Sequence, residues 1–279
     1  MNESSRKMIG LADGDVSCLT WSGDGPLLHF AHANGFNAQT YRSLLAPLSD
    51  RFAVAASDAR GHGLTTLPAT PGLARNWTIF RDDLIAVLDR IAPEGAILAG
   101  HSMGGTASLM AAALRPEKVR ALVLVEPVLI PEGVGPGDNE LARRAEKRRD
   151  FFASADEAFA LYRGRGAFKT WPDEMLRDYL NGGLERTEAG FRLACRPAWE
   201  AEDFRSTPSG VSQLAQSLRC PVTLIHAKDG TASKSEVAIF KSLYPATRVV
   251  GRPDATHFLP MECPELMRDE ITKIACPDA

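Results

Sequence analysis

The sequence predicts an α/β fold, in which a mostly parallel sheet carries helices on both faces and one helical segment is inserted after the sixth strand. Two observations lead to this prediction. Short apolar runs alternate with amphipathic helical patterns, which is typical of repeated strand–helix units. The alternation stops after Val125 and resumes at Val222, and residues 131–218 show helical patterns and turns without a convincing core strand. We therefore expect one sheet domain with one insertion.

Individual elements follow from the same patterns. The runs 96–100 and 121–125 are continuously apolar, as expected where helices cover both faces of a sheet. Apolar residues at helical spacing over 80–91 predict a helix. Further helices are predicted over 103–114, over 233–243 and from Glu262. The predicted strands are 16–21, 27–32, 52–57, 96–100, 121–125, 222–226 and 248–251.

The composition excludes several functional classes. The chain has 279 residues, of which 44% are hydrophobic and 24% charged, as in ordinary globular proteins. A formal net charge of −3 is no signature of nucleic-acid binding. Five cysteines without C-x-x-C spacing predict neither a zinc site nor a disulfide framework. No apolar run approaches the roughly 20 residues that cross a bilayer.

These observations set the expectations for partners and location. The first residues lack the apolar core of a signal peptide, so we expect a cytoplasmic protein. We expect a small-molecule substrate, no nucleic-acid partner, no membrane span, no cofactor and no metal. The sequence leaves a homodimer open.

The nucleophile is predicted at Ser102. Gly100-His101-Ser102-Met103-Gly104 fits the pattern G-x-S-x-G, directly after an apolar strand and before a helix. Such a strand-to-helix turn holds the serine in a strained backbone conformation, and the flanking glycines remove side chains that would clash. The helix N-terminus also favours the negative charge that develops during attack. The alternative is a glycine-rich turn without a catalytic role.

His257 is predicted as the base, because a serine hydroxyl is a weak nucleophile until a base takes its proton. A nucleophile on such a turn is followed along the chain first by the acid and then by the histidine. Only His226 and His257 follow Ser102. His226 ends a predicted strand and precedes the acid candidate of the following loop, whereas His257 lies in the loop after the final strand.

Two carboxylates compete for the role of the acid. Asp229 follows the strand 222–226 and is the first choice, although an aspartate before glycine is also common in turns. Glu126, at the end of the strand 121–125, is the alternative, and it could instead cap that strand or line the pocket. Either could hold the imidazole in the required tautomer.

The oxyanion hole needs two backbone N–H donors. One is predicted at Met103, the residue after the nucleophile. The second is predicted at Phe36, in the loop that follows the strand 27–32, where Gly35 permits the backbone to turn. A plain glycine turn is the alternative interpretation of this loop.

Taken together, these residues resemble the α/β-hydrolase superfamily over nearly the whole chain. The resemblance implies an eight-stranded sheet in a core of residues 1–130 and 219–279, with residues 131–218 as a helical cap over the site. The chain departs from the usual pattern in the spacing of the oxyanion loop and in lacking a glycine before Asp229. The motifs that carry the resemblance are Asn34-Gly35-Phe36, Asp58-Ala59-Arg60-Gly61-His62-Gly63, Gly100-His101-Ser102-Met103-Gly104-Gly105, Lys228-Asp229 and Thr256-His257-Phe258.

The serine separates this chain from the epoxide hydrolases and haloalkane dehalogenases, which resemble it but use an aspartate nucleophile. The resemblance implies hydrolysis of a carboxylic ester, thioester or lactone through an acyl-enzyme. Carbon–carbon bond hydrolases and cofactor-free haloperoxidases keep the serine and stay as alternatives, and a hydrolase-fold receptor is the non-enzymatic one. Ten aromatic residues within 131–218 favour an apolar pocket for a small or medium ester, unless they only pack the insertion itself.

Overall fold

The computed structural model describes residues 3–228 and 230–275 and has an eight-stranded sheet at its centre. In this sheet the strands lie in the order β1-β2-β4-β3-β5-β6-β10-β11. The strands are β1 (Ser5–Leu11), β2 (Gly14–Trp21), β3 (Leu27–Ala31), β4 (Ala53–Ser57), β5 (Ala96–His101), β6 (Val119–Val125), β7 (Phe151–Phe152), β8 (Leu184–Thr187), β9 (Gly190–Leu193), β10 (Val222–Ala227) and β11 (Arg248–Arg252). The helices are α1 (Arg42–Leu45), α2 (Thr78–Ile91), α3 (Met103–Leu114), α4 (Glu140–Glu146), α5 (Ala155–Tyr162), α6 (Asp173–Gly183), α7 (Pro197–Arg205), α8 (Lys234–Leu243), α9 (Leu259–Glu262) and α10 (Pro264–Ala275).

The predicted fold class is confirmed. All seven predicted strands are present, with ends within two residues of the prediction, and β3 to β6, β10 and β11 pair in parallel. The strand of the eight-stranded sheet that sequence reasoning missed is β1, which pairs antiparallel with β2 at the sheet edge. None of its seven residues is buried, so it lacks the apolar pattern by which the other strands were found.

Alternation along the central strands creates two cores, one on each face of the sheet. In β6, Val123 and Val125 join one apolar cluster together with Ile271 of α10. Leu122 and Leu124 point to the opposite face and join a second cluster, to which α2, α3 and α8 contribute. Because both faces of β6 are covered, its residues are apolar at every position from 121 to 125.

The segment between β6 and β10 leaves the sheet and contains α4 to α7. It also contains a small three-stranded sheet in the order β7-β9-β8, which was not predicted. These strands are only two to four residues long and mostly exposed or half-buried, so their sequence carries too few alternating positions to predict them. Aromatic side chains anchor the segment on the sheet domain: Trp199 of α7 is 2% exposed, and its indole N–H donates to Arg60 O at 3.1 Å.

Within the described ranges, no helix combines the length and the apolar character that crossing a membrane requires.

Candidate functional site

Ser102 occupies a sharp turn between β5 and α3. Its backbone has φ 53° and ψ −119°, a conformation that non-glycine residues rarely adopt and that costs about 1–3 kcal/mol. A Cβ at Gly104 would clash with the Ala31 carbonyl, and a Cβ at Gly100 would lie 2.5 Å from Gly104 O. Both glycines of the motif are therefore required by close backbone contact.

Hydrogen bonds hold this turn against the neighbouring strand. Ser102 N donates to Val125 O of β6 at 2.9 Å, and Thr106 N donates to Ser102 O at 3.0 Å. Met103 is the first residue of α3, so its N–H has no carbonyl partner within the helix. The predicted nucleophile thus stands at a helix N-terminus, beside a backbone donor that could bind an oxyanion.

His257 lies in the loop between β11 and α9 and contacts Glu126. Its Nδ1 atom is 3.1 Å from Glu126 Oε2, and its side chain is 23% exposed. The ring centroid lies 4.9 Å from that of His101, the residue before Ser102, and His101 Nε2 donates to His257 O at 2.8 Å. The structure therefore brings the predicted base to the nucleophile turn.

Glu126 is fully buried at the end of β6 and surrounded by donors. Its carboxylate accepts from Ala227 N and, at 2.8 Å, from Thr231 N, in addition to the contact with His257. A Cβ at Gly230 would clash with this carboxylate, so Gly230 is needed for the carboxylate to lie there. Asp229 lies outside the described residues, and its assignment as the acid stays a prediction. Among the described residues, the carboxylate of Glu126 contacts the imidazole.

A chain of hydrogen bonds that was not predicted connects the oxyanion loop (residues 32–36) with the His257 loop. Ala33 N donates to Tyr41 Oη at 3.2 Å, and the Tyr41 hydroxyl donates to His101 Nδ1 at 2.8 Å, provided that His101 carries its proton on Nε2. Burial holds the pKa of His101 well below its usual range, so the ring is neutral and can accept at Nδ1. His101 is the variable residue before the serine in G-x-S-x-G, and Tyr41 belongs to no motif, so the sequence carried no signal for either role.

In the oxyanion loop the predicted donor is already hydrogen-bonded. Phe36 N donates to Ala33 O at 3.1 Å across a turn in which Gly35 has φ 74°. For Phe36 to serve an oxyanion, this N–H must be shared with the substrate oxygen or released to it. Gly35 N donates to His62 Nε2 at 3.0 Å, which anchors the preceding peptide. The Phe36 assignment stays a prediction.

Aromatic side chains from the inserted segment cover the oxyanion loop. The Phe36 ring lies 5.1 Å from Trp171 and 5.7 Å from Tyr179, both edge-on, and 6.2 Å from Phe258, the neighbour of His257. An ion pair lies beside these rings: Arg148 donates to Tyr179 Oη at 2.7 Å and pairs with Glu200. The surroundings of the site are thus mainly apolar, with a compensated ion pair.

Comparison with known proteins agrees with this geometry. A family model described as the alpha/beta hydrolase family matches residues 30–270. A 2-(acetamidomethylene)succinate hydrolase from Mesorhizobium japonicum is 29% identical over 253 residues, covering 90% of this chain and 88% of that protein. The crystal structure of E-2-(acetamidomethylene)succinate hydrolase superimposes with a TM-score of 0.83 at 26% identity, covering 99% of this chain and all of that one. An esterase from Mycobacterium tuberculosis is 31% identical over 113 residues, 40% of this chain and 37% of that protein.

Proposed function

Since the chain belongs to the alpha/beta hydrolase family, we propose that it is a serine hydrolase with Ser102 as nucleophile, His257 as base and Glu126 as the acid. The contact between His257 Nδ1 and Glu126 Oε2 at 3.1 Å, next to the strained turn at Ser102, is the observation that carries the proposal. Asp229 is the alternative acid.

In the proposed reaction His257 removes the Ser102 proton while the serine oxygen attacks the carbonyl carbon of the substrate. The carbonyl oxygen becomes an oxyanion, which the N–H groups of Met103 and Phe36 stabilise. His257 then gives its proton to the leaving group, which departs and leaves an acyl-enzyme. Water, deprotonated by His257, attacks the acyl carbon and restores Ser102. Glu126 accepts from Nδ1 of the imidazole throughout, which leaves Nε2 as the atom that takes and returns the proton.

We assign residues 131–218 as a cap over the core formed by 1–130 and 219–279. The rings that this cap places around Phe36 support a substrate with a small to medium, largely apolar acyl group in ester, thioester or lactone linkage. A second candidate is an N-acyl amide whose amine part, and not its acyl part, carries carboxylates. The 29% identical relative is named for such a compound, an acetamidomethylene succinate, and it covers 90% of this chain.

A substrate screen with Ser102→Ala as the blank tests the function. The panel contains p-nitrophenyl esters of increasing acyl length, a thioester, a lactone and an N-acyl aminomethylene dicarboxylate. We expect turnover of at least one substrate, and a loss of about 10⁴-fold or more in Ser102→Ala. Rates that fall steadily with every methylene from acetate upward would contradict an apolar acyl pocket.

Labelling by a fluorophosphonate probe separates the nucleophile from the substrate. We expect rapid labelling of the protein, with the mass increase on the peptide containing Ser102 and none in Ser102→Ala. Labelling without turnover of any member of a broad panel would favour a hydrolase-fold receptor over an enzyme.

A further inference from the structure

The oxyanion loop and the neighbouring loop (residues 58–63) are joined by two buried histidines, each of which accepts a hydrogen bond from the other loop. His32 of the oxyanion loop accepts from Ala59 N at 2.8 Å through Nε2. His62 of the neighbouring loop accepts from Gly35 N at 3.0 Å, also through Nε2. The two rings lie 5.1 Å apart, and both side chains are at most 2% exposed. Each loop thus holds a backbone N–H of the other.

The same bonds determine the protonation of both rings. His32 Nδ1 lies 2.8 Å from Ala33 O and His62 Nδ1 lies 2.9 Å from Arg60 O, so each Nδ1 must carry the proton that it donates. A doubly protonated ring has no lone pair left to accept a backbone N–H. These bonds require a neutral ring at both histidines. His62 Nε2 also lies 3.2 Å from Asn34 Oδ1 and 4.0 Å from Asp203 Oδ2, which are acceptors, so its own role as acceptor rests on the shorter contact with Gly35 N and on burial, which lowers the pKa of His62 to about 3.

Helix α7 of the inserted segment holds the oxyanion loop from the other side. Asn34 Nδ2 donates to Glu200 O at 3.0 Å, and a Cβ at Gly35 would lie 2.5 Å from Glu200 Oε1. Gly35 is consequently enclosed between the His62 ring and the Glu200 carboxylate. A glycine at φ 74° can readily adopt other conformations, so these contacts select one conformation of the turn.

We propose that His62 is a positioning residue of the oxyanion hole: by accepting from Gly35 N–H, it sets the direction of the adjacent Phe36 N–H toward the substrate oxygen. The inference rests on the proposed function. Gly35 directly precedes Phe36, so a change at the Gly35 peptide changes the orientation of the predicted donor. The effect belongs to the tetrahedral state, in which the oxyanion exists, and not to binding of the ground-state substrate.

Two variants separate the acceptor from the rest of the ring. In His62→Gln the amide oxygen can occupy the place of Nε2 and accept from Gly35 N–H. In His62→Asn the shorter amide reaches only the place of Nδ1, so it can still donate to Arg60 O while Gly35 N–H loses its acceptor. The two substitutions change size and polarity in similar ways, which makes them matched controls for folding.

The readouts are kcat, KM and the inhibition constants of two ligands. A boronic acid whose organic group matches the acyl chain of the best ester forms a tetrahedral adduct with Ser102. The carboxylic acid product instead resembles the ground state. For His62→Asn we expect kcat and boronic acid affinity to fall at least about tenfold, with KM and product affinity within about twofold. For His62→Gln we expect kcat, KM, boronic acid affinity and product affinity all to stay within about threefold of the wild type.

Unchanged kcat and boronic acid affinity in His62→Asn would overturn the proposal, and so would an equal loss of product affinity. If His62→Asn does not fold, ¹⁵N NMR of the wild type decides: a proton on Nδ1 of His62 and a coupling across Gly35 N–H to Nε2 are expected, and a proton on Nε2 would overturn the proposal. Failure of the proposed function would give a different result from failure of the His62 proposal. The wild type itself would then not bind the boronic acid, and Ser102→Ala would be as active as the wild type.

Discussion

The nucleophile turn (residues 100–105) and the oxyanion loop border the same site but are held in different ways. The nucleophile turn is held by the backbone, since Gly104 packs against the Ala31 carbonyl and Ser102 N donates to the next strand. The oxyanion loop is held by side chains from distant segments, notably His62 and Glu200. The turn at the nucleophile is thus a property of the sheet, whereas the oxyanion loop depends on contacts with the loop 58–63 and with the inserted segment.

The largest expected effect concerns the proposed acid, Glu126, at the end of β6. In Glu126→Gln we expect kcat to fall about 10³–10⁴-fold, because an amide cannot compensate the imidazolium charge or hold the required tautomer. The measurement is kcat and KM on the best substrate from the screen, below the unfolding temperature. Ala227 N and Thr231 N each donate to a different oxygen of Glu126, and the glutamine amide has only one oxygen. We therefore expect some loss of stability in addition to the kinetic effect.

Asp229→Asn is the matched control for this experiment. We expect it to retain activity within about tenfold, because Glu126 keeps its contact with His257 at 3.1 Å. A loss of several orders of magnitude in Asp229→Asn, with an active Glu126→Gln, would reverse the assignment and return the role to Asp229.

Alanine at the two glycines compares the two loops directly. Gly104→Ala should destabilise the protein by about 3 kcal/mol or more, because the new Cβ meets backbone that cannot move aside. Gly35→Ala should cost about 1–2 kcal/mol for its positive φ, in addition to the contact with the Glu200 side chain. Urea denaturation gives both free energies of unfolding.

Glu200→Ala completes the comparison as a double-mutant cycle. Combined with Gly35→Ala it should show a coupling of at least about 0.5 kcal/mol, since the shorter side chain makes room for the new Cβ. Combined with Gly104→Ala it should be additive. Additivity in both cycles would mean that side chains do not hold the oxyanion loop as we describe.

The last expected effect is on stability in acid, and it does not involve the reaction itself. Burial lowers the pKa of His29 to about 4 and that of His62 to about 3, whereas an unfolded histidine titrates near 6.5. Below pH about 6.5 the unfolded chain binds more protons than the folded one, so the free energy of unfolding falls as the pH falls. The slope reaches about 1.4 kcal/mol per pH unit for each such histidine and ends near its folded pKa.

The variant His29→Gln tests the contribution of the proton that His29 binds when the chain unfolds in acid. Its amide oxygen can replace Nε2, which lies 2.9 Å from Ser57 Oγ, but it does not titrate. We expect its free energy of unfolding, measured in urea between pH 7 and 4, to fall less steeply than that of the wild type. Parallel pH profiles for the two proteins would show that His29 is not buried in its neutral form.

Much of the sheet and part of the geometry of the candidate site could be predicted, and particular residues show why. Strands such as 121–125 are apolar at every position, and the helix 103–114 agrees with the structure at both ends, because burial imposes its pattern locally. The exposed β1 and the short strands β7 to β9 lack such a pattern. The strand-to-helix turn at Ser102 could be predicted for the same reason, since its strand, glycines and helix are contiguous in the chain.

The sequence by itself therefore determined the fold class, the nucleophile turn and the position of His257 after the last strand. Only the tertiary structure placed Glu126 on His257, joined Tyr41 and His101 into one chain of hydrogen bonds, and set His62 against Gly35. The physical reason is distance along the chain. Glu126 and His257 are separated by 131 residues, and a hydrogen bond between such partners depends on how the strands are ordered in the sheet.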